Sequence, residues 1–116
     1  MNKSIERVII SGGGTGGHIF PAIAVADAVR AQYPNAEILF VGAEGRMEME
    51  RVPKAGYKIE GLSVQGLDRK RPWRNFKVLL DFLRSEQKAK KLVRVFHPQV
   101  VVGVGGYASA PTLRAA

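Results

Sequence analysis

RVIISGGGTGGH, residues 7–18, is the stretch on which the fold turns. Arg7 to Ser11 is a short β-branched run that ends at glycine, the pattern of a buried strand. Five glycines then crowd the six positions from Gly12 to Gly17, and His18 follows. From about Ile19 to Gln32 the apolar residues Ile19, Ile23, Ala26 and Val29 (or Arg30 in its place) recur at helical spacing. Pro21 suits a first turn, and Pro34 with Asn35 stops the helix. Glu37 to Val41 (EILFV) predicts a second strand closed by Gly42. Strand, glycine loop, helix, strand is a right-handed βαβ unit.

Working outward, Arg46 to Ala55 predicts a short helix stopped by Pro53 and Gly56. Tyr57 to Val64 predicts a third strand with weaker alternation, and Gln65 to Pro72 a polar, basic loop. Trp73 to Phe96 predicts a long helix ended by His97 and Pro98. Gln99 to Val104 (QVVVGV) predicts a fourth, buried strand. After Gly105 and Gly106 the last ten residues read as the start of a helix. Strands alternating with helices imply an α/β, Rossmann-like, mostly parallel sheet. Strand order 3-2-1-4 places strands one and four side by side. A doubly wound domain usually continues for two more strands, so the expectation is a piece of one domain.

Composition narrows the function. With 46% apolar residues the 116-residue chain can bury a core, though one with little margin. There is no cysteine, hence no disulfide and no thiolate metal site. Apolar runs such as Val100 to Val102 fall far short of the roughly 18 to 20 residues that span a bilayer. The N-terminus also lacks a signal-peptide pattern, which points to a soluble, cytoplasmic protein. A net charge of +8 favours anionic partners: nucleic acid, an anionic membrane face or phosphorylated substrates.

The glycine loops choose among these. Gly12, Gly14 and Gly17 satisfy G-x-G-x-x-G between a strand and a helix, where a phosphate-binding loop belongs. Glycine lets the backbone close on an anion that free N–H groups and the helix dipole favour. Thr15 adds a hydroxyl within the loop. His18 at the helix N-terminus is kept neutral by the dipole, as a general base requires, though capping the helix would need the same residue there. Gly103, Gly105 and Gly106, followed by Tyr107, Ser109 and Pro111, form a second loop after strand four. Both loops would then flank the switch point at which doubly wound sheets bind ligands. A dinucleotide-dependent oxidoreductase would need an acid after strand two, for which Glu44 is the one candidate. A nucleic-acid module would rest on charge alone, with no recognised motif.

GGGTGGH followed by IFPAIAVA, VGAEGRMEMERVPKAGY, VQGL and VVVGVGGYASAP, in that order, resembles the MurG family of N-acetylglucosamine transferases over nearly the whole chain. The resemblance implies the N-terminal half of a GT-B glycosyltransferase. In that fold this incomplete Rossmann-like domain, spanning 1–116, takes the acceptor, and an absent C-terminal domain holds most of the donor. It implies inverting transfer from UDP-N-acetylglucosamine to undecaprenyl-diphospho-N-acetylmuramoyl-pentapeptide (lipid I), giving lipid II for peptidoglycan, with no metal and no cofactor in the chemical step. Residue by residue it places Thr15, Gly16 and Gly17 at the donor and makes His18 the candidate base. It places Gly14, Gly105, Gly106 and Tyr107 near the acceptor diphosphate. Ala110 stands where many members carry glycine, and the family's asparagine motif lies beyond Ala116.

One stretch remains. Arg69, Lys70, Arg71, Arg74 and Lys77 cluster around Trp73 and Phe76 at the start of the long helix. Leu80 and Leu83 continue the same stripe, with Leu79 and Phe82 beside it, and these two leucines are expected to face the core. Trp73 and Phe76 beside five cations instead suggest a patch for an anionic membrane surface. The resemblance, to enzymes acting on a lipid-linked acceptor at the cytoplasmic face of the bacterial membrane, points the same way.

Overall fold

A computed structural model describes residues 5–12, 16–62, 74–105 and 109–116, with the backbone alone at 16–18, 74–75, 78, 81 and 109–111. Along the chain run β1 (Arg7–Ser11), α1 (Gly16–Gln32), β2 (Glu37–Ala43), α2 (Glu48–Lys54), β3 (Lys58–Leu62), α3 (Arg74–Phe96), β4 (Val100–Gly103) and α4 (Ser109–Ala115). The strands form one parallel sheet in the order β3-β2-β1-β4. The α/β, Rossmann-like expectation and its strand order are the observed ones.

Because side chains alternate along a strand, each face of the sheet collects every second residue. Val8, Ile10, Ile38 and Phe40 meet Ile19, Ala22 and Ala26 of α1, Val52 of α2 and Tyr57. Ile9, Val41 and Leu62 face the other way, onto Ala89 of α3, with Leu92, Val93, Phe96 and Ala115 packed around them. A sheet covered on both faces is what a βαβ series must build, since each crossover lays a helix on one face. Phe40, 1% exposed, is the largest fully buried side chain among the described residues, and burial of a side chain that size contributes about 1.5–3 kcal/mol.

Element ends differ from the sequence reading in instructive ways. Helix α1 opens at Gly16, three residues before Ile19, so Pro21 lies inside it rather than in its first turn. A proline there withholds the N–H that the helix would return to residue 17. Strand β2 runs on through Gly42 to Ala43. Pro53 is tolerated inside α2, and the chain turns at Gly56 (φ 90°), a left-handed conformation suited to glycine. Gln99 is not a strand residue: its side-chain Oε1 accepts the Arg7 N–H at 3.2 Å, and its own N–H donates to the Arg7 carbonyl at 3.0 Å.

Leu80 and Leu83 require a correction. They are 41% and 47% exposed, not turned to the core. Helix α3 packs through Phe82, Ser85, Glu86, Ala89, Leu92, Val93 and Phe96, a stripe on another side of the same helix. Its 23 residues span about 34 Å at 1.5 Å per residue, roughly twice a five-residue strand. A core of that size cannot face the whole helix.

Candidate functional site

The sheet's connections diverge between β1 and β4. From β1 the chain passes through α1 toward β2; from β3 it returns through α3 to the far side of β1. All strands are parallel, so the C-terminal ends of β1 and β4 share one edge, the switch point. Ser11 pairs with Gly103, and the Val104 N–H donates to the Ser11 carbonyl at 2.9 Å.

At that edge the two glycine segments touch. A Cβ on Gly12 would fall 2.1 Å from Val104 Cγ2 and 3.1 Å from the Gly105 carbonyl oxygen. The approach of one loop to the other therefore requires glycine at position 12. Gly105 has φ 97°, a conformation that L side chains rarely adopt. Gly103 serves packing, because a Cβ there would lie 2.6 Å from Leu113 Cδ1 on α4.

Gly16, Gly17 and His18 form the first turn of α1 directly after the first loop. The positive end of the α1 dipole consequently opens at the switch-point edge. Gly14 and Thr15 lie outside the described residues, as do Gly106 and Tyr107 of the second loop. The structure joins Gly12 to Gly105 at one edge, and α1 opens at Gly16 four positions after Gly12. Arg69, Lys70, Arg71 and Trp73 also lie outside the described residues. Phe76 and Lys77 are exposed on the first turns of α3, and Arg74 begins that helix.

Around the edge stand polar groups that spacing in the sequence did not single out. Glu48, 1% exposed, accepts the Ala43 N–H through Oε1 at 2.9 Å and so fixes the start of α2 to the end of β2. Lys88 Nζ donates to the Gly61 carbonyl and lies 3.9 Å from Glu44. Glu44, the acid that a dinucleotide reading would assign to a ribose, is paired to α3. Ser11 and Thr112, 0% and 1% exposed, are joined by a hydroxyl–hydroxyl bond of 3.2 Å. The one hint of this in the sequence is a serine closing an otherwise β-branched run.

Two hollows, of about 580 and 390 Å³, lie at the opposite, N-terminal edge of the strands, beside Arg7, Glu37 and Leu39 and beside Tyr57 and Lys58. Neither adjoins the glycine loops. We place the site at the switch point because the glycine geometry and the α1 terminus converge there. Among the described residues no three His, Cys, Asp or Glu side chains gather to hold a metal ion. No helix among them is long and apolar enough to cross a membrane.

Known proteins resemble this chain over nearly its whole length. Residues 8–116 match the glycosyltransferase family 28 N-terminal domain. A UDP-N-acetylglucosamine--N-acetylmuramyl-(pentapeptide) pyrophosphoryl-undecaprenol N-acetylglucosamine transferase of Bacteroides fragilis is 66% identical over 95% of the chain. The transferase of the same name from Bacteroides thetaiotaomicron is 63% identical over all of it. The chain spans 29% and 31% of their respective lengths. A crystal structure of Acinetobacter baumannii MurG superposes with a TM-score of 0.78 at 26% identity, covering 96% of this chain and 32% of that one.

Proposed function

Since the chain belongs to the glycosyltransferase family 28 N-terminal domain, we propose that it is the acceptor-side part of a GT-B transferase that passes N-acetylglucosamine from UDP-N-acetylglucosamine to lipid I. The observation that carries this reading is the meeting of the two glycine segments at the switch point, with Gly12 against Val104 and Gly105. Two glycine segments this close suit an anion held between them, and the α1 dipole adds to the attraction. Gly14, Gly105, Gly106 and Tyr107 are assigned to the acceptor diphosphate, and Thr15, Gly16 and Gly17 to the donor. His18, in the first turn of α1, is assigned as the general base that takes the proton of the attacking acceptor hydroxyl. The hydroxyl oxygen then bonds the donor's anomeric carbon as UDP departs, with inversion.

A membrane surface accompanies this reading. Phe76, Leu79, Leu80 and Leu83 are 69%, 55%, 41% and 47% exposed and follow i, i+3, i+4, i+7 spacing on α3. Lys77 and Arg84 stand exposed beside them. An apolar stripe bordered by cations suits the anionic cytoplasmic face of a bacterial membrane, where a lipid-linked acceptor would be met.

The experiment is a transfer assay on a full-length protein carrying this sequence, with UDP-N-acetylglucosamine and lipid I. The expected product is lipid II, with His18→Ala lowering kcat by about 10²–10⁴-fold. No transfer to lipid I would sink the reading, and an unchanged kcat in His18→Ala would reduce that residue to a helix cap.

A further inference from the structure

Three consecutive residues of α4 reach three different elements. The Thr112 hydroxyl meets Ser11 on β1, the Leu113 side chain lies over Gly103 on β4, and Arg114 Nε donates to Glu86 Oε1 on α3 at 2.9 Å. Of these, the first joins segments 101 positions apart and bears directly on the site. Ser11 precedes Gly12, where the first glycine loop opens, and Thr112 lies one helical turn after Ser109, where the second loop has just closed.

We propose that the Ser11–Thr112 bond is a positioning tie that sets the separation of the two glycine loops, and so the fit of a diphosphate held between them. The proposal rests on the acceptor reading given above. The Ser11 Oγ donates to the Val41 carbonyl at 3.0 Å. A serine hydroxyl has one proton, so its bond with Thr112 is accepted by Ser11 and donated by Thr112. β2, β1 and α4 are thereby linked in a single chain of hydrogen bonds. Both hydroxyls are fully buried, so neither can exchange its partner for solvent, and the bond holds distance and direction where an apolar contact would let α4 slide. Leu113 over Gly103 is such an apolar contact, and Arg114 holds α4 to α3, which carries neither loop. The Ser11–Thr112 bond is the polar contact described between α4 and the strand that leads into the first loop.

The test uses a full-length transferase carrying this sequence. Thr112→Val and Ser11→Ala each remove one hydroxyl with little change of volume. Each should raise KM for the lipid-diphosphate acceptor about tenfold, as loss of one buried hydrogen bond allows. KM for UDP-N-acetylglucosamine should stay within about twofold, and Thr112→Ser should restore the acceptor KM. If Thr112→Val fails to fold, Ser11→Ala decides alone. An unchanged acceptor KM would overturn the proposal. So would a fall in kcat that tracks loss of folded protein in thermal melts while both KM values hold, because the pair would then serve stability only. Absence of transfer by the unaltered enzyme would instead sink the acceptor reading, and the tie's role with it.

Discussion

Gly12 shows how much one absent methyl can decide. A Cβ there would overlap Val104 Cγ2 at 2.1 Å, and valine, branched at Cβ, cannot swing that methyl away without leaving its rotamer. Gly12→Ala should therefore destabilise the fold by about 1–3 kcal/mol, measured by denaturant unfolding. Gly103→Ala should cost less, because the obstructing Leu113 has a mobile tip. Tyr57 gives a prediction in pH. Its ring packs against Phe40 at 5.3 Å, Arg30 lies 4.2 Å over the ring, and its hydroxyl donates to Asp27. Burial first, then the Asp27 carboxylate, push the phenol from 10.0 up to about 12. The fold favours the protonated form, so this contribution to stability is complete below pH 10 and is lost as the pH rises from 10 through 12. Unfolding experiments across that range should show the decline, and Tyr57→Phe should flatten it.

At the scale of elements, α3 carries one packed face and one exposed apolar face. Ala89, Leu92, Val93 and Phe96 cover the sheet and Glu86 meets Arg114 of α4, while Phe76, Leu79, Leu80 and Leu83 face out. Replacing Leu79 and Leu83 together by glutamate should leave the melting temperature within a few degrees, because neither side chain is buried. It should also abolish sedimentation with anionic vesicles. For the unaltered protein, raising salt from 0.1 to 1 M, which shortens the Debye length from about 10 to about 3 Å, should weaken that binding. Equal binding to neutral and anionic vesicles, indifferent to salt, would show that cations have no part in it.

For the whole molecule, the chain spans 29% and 31% of the two Bacteroides relatives, and transfer requires donor and acceptor to be held together. The 116-residue chain on its own should therefore show no transfer from UDP-N-acetylglucosamine, and turnover in a radiolabelled assay would refute this. The sheet has an exposed Val100, 39% accessible, on β4, one of its two edge strands. An edge of that kind is a template for further strand pairing.

How much of this was legible in the sequence follows from the range of the forces involved. RVIIS announces a buried parallel strand because both faces of such a strand must be apolar, and β1 is found at its expected ends. VVVG marks β4 correctly as a strand but not as the buried one expected, because β4 lies at the edge of the sheet with Val100 and Gly103 exposed. The order 3-2-1-4 comes with the Rossmann-like reading of the element pattern, and the convergence of the two glycine segments follows from that order. The family was legible too, in GGGTGGH and VVVGVGGYASAP, where Gly12 has no room for a Cβ and Gly105 takes a positive φ. What only the tertiary structure decided are contacts between residues far apart in the chain. Leu80 and Leu83 lie on an apolar stripe that reads as core-facing, yet α3 packs through another side, the one that carries Ala89, Leu92, Val93 and Phe96. Nothing local pairs Ser11 with Thr112, turns Glu48 inward to the Ala43 N–H, or binds Glu44 to Lys88. Periodicity fixes which side of an element is apolar, whereas the partner of a buried polar group depends on where packing brings a second element to rest.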